Sequence, residues 1–368
     1  MSIGNFHWYM DRIDEADVEK LNQREDILHI HKDQPVFHIT EQVQKESPSW
    51  GLDRIDQRKG RNNEFHFPSS AGEGVDVYII DTGININHLD FGGRAIHGPT
   101  FTTGSKNSNP TDNNGHGTFV AGVCCGQIYG VAKKAKITSL KVLDQEGSGK
   151  LSNILKAIRW VVEQHKKKPE FHLPINQAIE EAIEIGIHFS IAAGNQGSDA
   201  CRYSPSSVKN ALVVGAIDKD DTIAKFSNFG PCVDLYAPGT FITSLWYNTN
   251  RAIHVLSGTS MAAPHITGAM AILLSQQDYT PFELIQSLKE SATVSISSRT
   301  RSNEVAEEIS HLIGLDMDDQ SLIKIIYIDP SLDFFSETDD SFIRSSARIQ
   351  VPSYFSIFIM SLILMGNH

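Results

Sequence analysis

Four side chains in this sequence are of types that can do chemistry together, and they occur in the order Asp, His, Asn, Ser. Asp81 ends the run "GVDVYIID" and is followed by Thr82 and Gly83. A carboxylate at a strand end can be held by neighbouring backbone N–H groups. His116 stands between glycines in "NGHGTFVAG", which leaves room around the imidazole. Ser260, in "SGTSMAAPH", opens a small-residue helical run. Its hydroxyl is thereby exposed at a helix N-terminus, whose dipole favours developing negative charge. A serine hydroxyl attacks a carbonyl only after a base takes its proton, and that base needs a carboxylate to fix its tautomer. Asn195, in "AAGNQG", follows a strand and offers an amide donor suited to a tetrahedral oxyanion. Singly, each has an ordinary structural use as turn aspartate, loop histidine or N-cap serine. Together they point to acyl transfer.

Such a constellation needs a scaffold, and the hydrophobic pattern supplies one. Residues 74–81, 135–143, 187–194 and 211–217 read as buried strands. Between them, Leu151, Ile154, Leu155, Ile158, Val161 and Val162 fall on one helical face. Pro174 fits the first turn of the next helix, which stops at Gly186. A long helix follows Ser260, and Pro281 opens another. Strands alternating with helices predict an α/β fold, a mostly parallel sheet with helices on both faces. The chemistry of such sheets lies at the carboxyl ends of the strands.

Composition sets the outer limits. At 368 residues and 40 % hydrophobic, the chain suits one large domain with appendages and needs no disulfide scaffold. A net charge of −12 argues against a nucleic-acid backbone as partner. The four cysteines show no zinc-type spacing. Met1 is not followed by a basic region and an apolar core, so the chain as written carries no signal peptide. No GxSxG elbow is present and the triad order differs, which argues against an esterase or lipase of the α/β-hydrolase fold.

With Asp81, His116, Asn195 and Ser260 in this order, the sequence resembles the subtilisin family of serine peptidases, in its proteinase K-like branch. "SWGLDRIDQR", "YGVAKKAKITSLKVLDQEGSGK", "RYSPSS" and "SGTSMAAPH" carry the likeness, from Ser49 to about Ala292. The resemblance implies a subtilisin-like, doubly wound sheet and a serine endopeptidase acting through an acyl-enzyme. Asp81, His116 and Ser260 would form its triad, and Asn195 its oxyanion donor. Phe119 departs from the family, where a second His is usual; a change in local packing is expected there.

The resemblance extends to the termini. Residues 1–42 are expected to be a partial α+β inhibitory propeptide, because "ADVEKLNQREDILHIHKDQPV" is similar to the latter half of the family's own. A solvated charged arm is the other reading. The absent first half implies a chain begun at an internal Met, and self-cleavage is expected between His38 and Gln44. The peptidase domain is expected over 43–292, followed by a tail, 293–368, with a short apolar end. That end, "YFSIFIMSLILM", is too short to span a bilayer, which takes about 20 residues. It reads as a GPI-attachment tail, with Ser345, Ser346 and Ala347 as the small-residue site, or as a non-native extension. By the same resemblance Cys201 and Cys232 form a disulfide, the alternative being two free thiols. Cys124 and Cys125 read as packing residues. Asp234, with carbonyls near Lys209 and Ala211, matches a calcium site of relatives; a turn-capping carboxylate is the other reading. No cofactor is otherwise required. The expected partners are protein or peptide substrates and the propeptide as inhibitor, with no nucleic acid and no transmembrane span. The expected setting is a monomer in the secretory pathway, extracellular or vacuolar.

One stretch departs from the pattern. "KKKPEFHLPINQAIEEAI" joins two helices where the family has a buried strand. The interval from His116 to Asn195 is short by roughly a dozen residues, a strand plus a turn. The expectation is a sheet lacking a central member near 168–171, beside the substrate cleft. Either a stretch was omitted in splicing or in the reading of the gene, or the chain is a catalytically impaired pseudoprotease or binding protein.

Overall fold

The computed structural model describes residues 2–3, 6–7, 41–102, 109–164, 175–296, 322–330 and 356–360. Two compact units divide the chain: Met1–His38 with Asp333–Pro352, and Ile39–Leu332 with Ser353–His368. In the first, Ser2–Ile3 (β1) and Phe6–His7 (β2) pair antiparallel. Of the other residues of the propeptide expectation, Glu41 and Gln42 belong to the second unit, in the strand Glu41–Lys45, and the rest lie outside the described residues.

The second unit is built on a nine-stranded sheet. Its members are Asp76–Asp81 (β5), Ala95–Thr100 (β6), Lys136–Lys141 (β7), His188–Ala192 (β8), Leu212–Ile217 (β9) and Leu235–Pro238 (β10), with Thr293–Ile296 (β13), Leu322–Ile325 (β14) and Ser356–Met360 (β15). The order is β13-β14-β10-β9-β8-β15-β5-β7-β6. All neighbours run parallel except β13 and β14. Buried on both faces, the central strands need no polar alternation, and β8 and β9 are buried throughout. Two antiparallel ribbons flank the sheet: Glu41–Lys45 (β3) with Glu64–Pro68 (β4), and Ile242–Leu245 (β11) with Ile253–Leu256 (β12).

Helices cover both faces, so the apolar side chains fall into two main cores. Leu151–Gln164 (α3) and Ile175–Glu184 (α4) bury Ile154, Ile158, Val161, Ile179 and Ala182 with Tyr78, Phe189 and Val213. On the other face His116–Cys125 (α2) and Thr259–Leu274 (α5) join Val77, Ile79, Val214 and Ala216. Helix α5 is buried along its whole length, which explains its small residues. Trp50–Ile55 (α1) and Pro281–Ser291 (α6) complete the second unit. A reciprocal capping box between Thr280 and Glu283 opens α6. Phe119 is fully buried in the α2 core.

Two sequence expectations change. The tail boundary at 292 falls short, because β13, β14 and β15 all join the sheet. The expected gap between Asp81's strand and the strand leading to Asn195 is filled. Residues 168–171 lie outside the described residues, but β15 occupies that slot in parallel register. It pairs Ile357 with both Val77 and His188, and Phe358 with both Tyr78 and Phe189. The run "SIFIM" is uncharged and rich in β-favouring residues, as a central parallel strand requires. Sequence order alone placed it at the end of a tail.

Candidate active site

Asp81 is the last residue of β5, fully buried. Its Oδ1 accepts the Thr82 N–H at 2.6 Å. Both of its oxygens lie 2.9 Å from His116 Nδ1. An ionised carboxylate only accepts, so Nδ1 carries the proton and Nε2 keeps its lone pair for base work. His116 opens α2 behind Gly115, whose φ of 111° only glycine adopts easily. A Cβ at Gly117 would meet the Gly83 carbonyl at 2.1 Å and Asp81 Oδ1 at 3.2 Å. The glycines flanking the histidine therefore permit contact with the Asp81 turn.

A second carboxylate holds this turn together. Buried Asp112 accepts from the hydroxyls of Thr82 (2.9 Å) and Thr118 (2.6 Å) and from the N–H groups of Asn114, Gly115 and Thr118. The Lys141 ammonium, buried at the end of β7, donates to the Thr82 carbonyl. Burial works to lower the pKa of His116, but the Asp81 charge and hydrogen bond, joined by Asp112's charge, outweigh it. The net shift is upward.

Ser260 lies in the first turn of α5, fully buried. Helices α2 and α5 pack together. Ser260 Oγ and His116 Nε2 are both buried without a hydrogen-bond partner among the described residues. Asn195 follows β8 and turns its Oδ1 to the N–H (2.9 Å) and hydroxyl (3.0 Å) of Thr259. That fixes the amide, so that Nδ2 remains as the free donor. Asn228 braces the loop: its Nδ2 donates to Ala193 O at 2.8 Å, and its Oδ1 accepts the Gln196 and Ser198 N–H groups. At Gly194, with φ of 101°, a Cβ would meet Asn228 Nδ2 at 2.4 Å.

The structure thus brings Asp81 and His116 into contact and leaves Ser260 Oγ and His116 Nε2 open. Asp112, Thr259, Asn228 and Lys141 were missed by sequence reasoning. An aspartate four residues before His116 in "DNNGHG" was a legible Asx-turn signal; the other three act through tertiary contacts. Cys201 and Cys232 form a disulfide, with Cα atoms 5.3 Å apart. Cys124 and Cys125 are buried in the core as expected, and the structure also pairs their sulfurs. Asp234 Oδ1 is 2.9 Å from Lys289 Nζ, and its Oδ2 accepts the Val213 N–H at 3.0 Å. Calcium takes six to eight oxygen ligands, and an ammonium already on the carboxylate does not fit such a site. Among the described residues, no three His, Cys, Asp or Glu are grouped to hold a metal. Nor is any helix there long and apolar enough to cross a membrane.

Comparison with known proteins agrees with this geometry. A model of the subtilase family matches residues 72–314. The chain is 36 % identical over 347 residues to subtilisin-like protease 8 of Trichophyton verrucosum, across 84 % of this chain and 69 % of that one. It is 38 % identical over 300 residues to alkaline protease 2 of Aspergillus fumigatus, across 74 % of this chain and 60 % of that one. The crystal structure of a cold adapted subtilisin-like serine proteinase superposes with a TM-score of 0.65 at 36 % identity, covering 76 % of this chain and 97 % of the other. The pseudoprotease alternative finds no support: the relatives are proteases, and the slot that prompted it is filled. The chain belongs to the subtilase family and is a subtilisin-like serine endopeptidase.

Proposed function

We propose that Ser260 is the nucleophile, His116 the general base and then acid, and Asp81 the group that orients it. The observation that carries this is the two-sided state of His116. Nδ1 is engaged by Asp81 at 2.9 Å, while Nε2 is buried and open, as is Ser260 Oγ. Ser260 Oγ attacks the scissile carbonyl as its proton moves to Nε2. The oxyanion is met by Asn195 Nδ2 and by the Ser260 N–H, which sits in the first helical turn and has no intrahelical acceptor. Proton return to the leaving amine gives the acyl-enzyme, which water then hydrolyses by the same steps.

The substrate is an unstructured protein segment, and residues 1–42 are its first instance: a propeptide that inhibits until cut between His38 and Gln44. The bridge Cys201–Cys232 favours an oxidising compartment, hence a secretory, extracellular or vacuolar enzyme. It works as a monomer, and Asp234 serves as an ion-pair partner of Lys289. Hydrolysis of an unfolded protein by the purified chain, and release of its own N-terminal segment, test the reading. Both should vanish in Ser260→Ala. Hydrolysis surviving that change would sink it.

A further inference from the structure

We infer that the C-terminal segment Ser356–Met360 is a positioning element of the catalytic machinery, completing in cis the sheet that holds the triad. The inference rests on the role proposed for Ser260, and goes beyond it. Three elements bear the proposed catalytic groups: β5 ends in Asp81, β8 leads to Asn195, and α5 carries Ser260 in its first turn. The backbone of β15 meets all three, pairing with β5 and β8 and lying against α5. On the β5 side the register runs from Ser356↔Asp76 to Ile359↔Ile79, and on the β8 side from Ile357↔His188 to Met360↔Ile191.

The occupant is specified by what the slot demands. A strand between two parallel strands is hydrogen-bonded on both edges and buried on both faces, so it must be apolar and free of proline. The described chain fills it with "SIFIM", which meets both conditions.

Spacing shows why catalysis depends on it. Strands two places apart stand about 9–10 Å from each other, twice the ladder spacing. Without β15, β5 and β8 must either leave facing edges unpaired or close up by about one strand, near 4.8 Å. Triad and oxyanion groups tolerate about 0.5 Å. Closing the gap would carry Asp81 away from its place relative to Asn195, with no change in any catalytic residue. The peptidase would thus be active only while its C-terminus is in the sheet, and proteolysis of that terminus would switch it off.

The test compares the full chain with one ending at Pro352 and with Phe358→Pro in the full chain, Gln350→Pro serving as control. Turnover of a small ester should fall about a hundred-fold or more in the first two and hold in the control. Adding a synthetic peptide of residues 353–368 during refolding of the shortened chain should restore it. In full-length Ser260→Ala, amides of 356–360 should resist hydrogen exchange as strongly as those of β5 and β8. Full activity in the shortened chain or in Phe358→Pro, failure of the peptide to restore turnover, or freely exchanging amides at 356–360 would each overturn the inference. Failure of the Ser260 assignment looks different: Ser260→Ala would stay active while the exchange pattern stood.

Discussion

The two ends of the His116 ring contrast sharply. At Nδ1 nearly everything is satisfied: Asp81 takes the histidine and Thr82, while Asp112 takes five donors from the same turns. At Nε2 nothing is satisfied, and neither is Ser260 Oγ. The first region is rigid because its carboxylates leave no donor idle; a buried polar network is firmest when complete. The second is incomplete, and under the proposed mechanism its partners come from substrate and from the reaction. Orientation is built in advance, and reactivity is what remains open.

Breaking the satisfied side should cost most. Asp81→Asn keeps the shape but lets the amide donate to Nδ1, which selects the wrong tautomer; kcat should fall about 10⁴-fold. The pH profile sharpens this. As the proposed base, His116 works only when neutral; its pKa is raised, so activity should be lost as pH falls through a value above the usual 6.5. Asp81→Asn and, less strongly, Asp112→Asn should move that acid limb to lower pH. A limb that stays put in both would contradict the stated cause.

On the open side, Asn195→Ala should lower kcat about 10²–10³-fold, a figure that belongs to subtilisin itself rather than to this chain, with KM little changed. Thr259→Val should do less, about ten-fold, because it removes one of the two donors that fix the Asn195 amide and keeps the backbone one. A KM effect without loss of kcat would place Asn195 in substrate binding instead. Cys201→Ser with Cys232→Ser should lower stability by about 2–4 kcal/mol and leave kcat unchanged, because neither sulfur contacts the triad. Denaturant titration measures the first; peptide mapping without reduction shows whether the pair is linked.

The contrast also explains what could be read in advance. Asp81, His116, Asn195 and Ser260 each sit at the edge of a strand or helix with a strong local pattern, so their places in the α/β fold were legible. The helix over Leu151–Gln164 and the long helix after Ser260 followed from periodicity and small residues. Asp112 was less legible because its value lies in five donors that only the folded turn collects. Thr259 and Asn228 act across more than thirty residues of sequence, which no local pattern reports. The slot beside β5 was the plainest failure. The sequence reading looked for that strand at the helix–helix junction, whereas the segment that occupies the slot lies near the far end of the chain. Apolar runs say that a segment wants burial, and not where.

The most direct test of the central claim is covalent labelling of the folded, propeptide-free enzyme by a serine-directed phosphonate, followed by peptide mass mapping. The account predicts one adduct per chain, on Ser260. Its rate should rise with pH as His116 loses its proton, and should fall about as far as turnover does in Asp81→Asn. A folded sample that takes no label, or takes it on another serine, would contradict it.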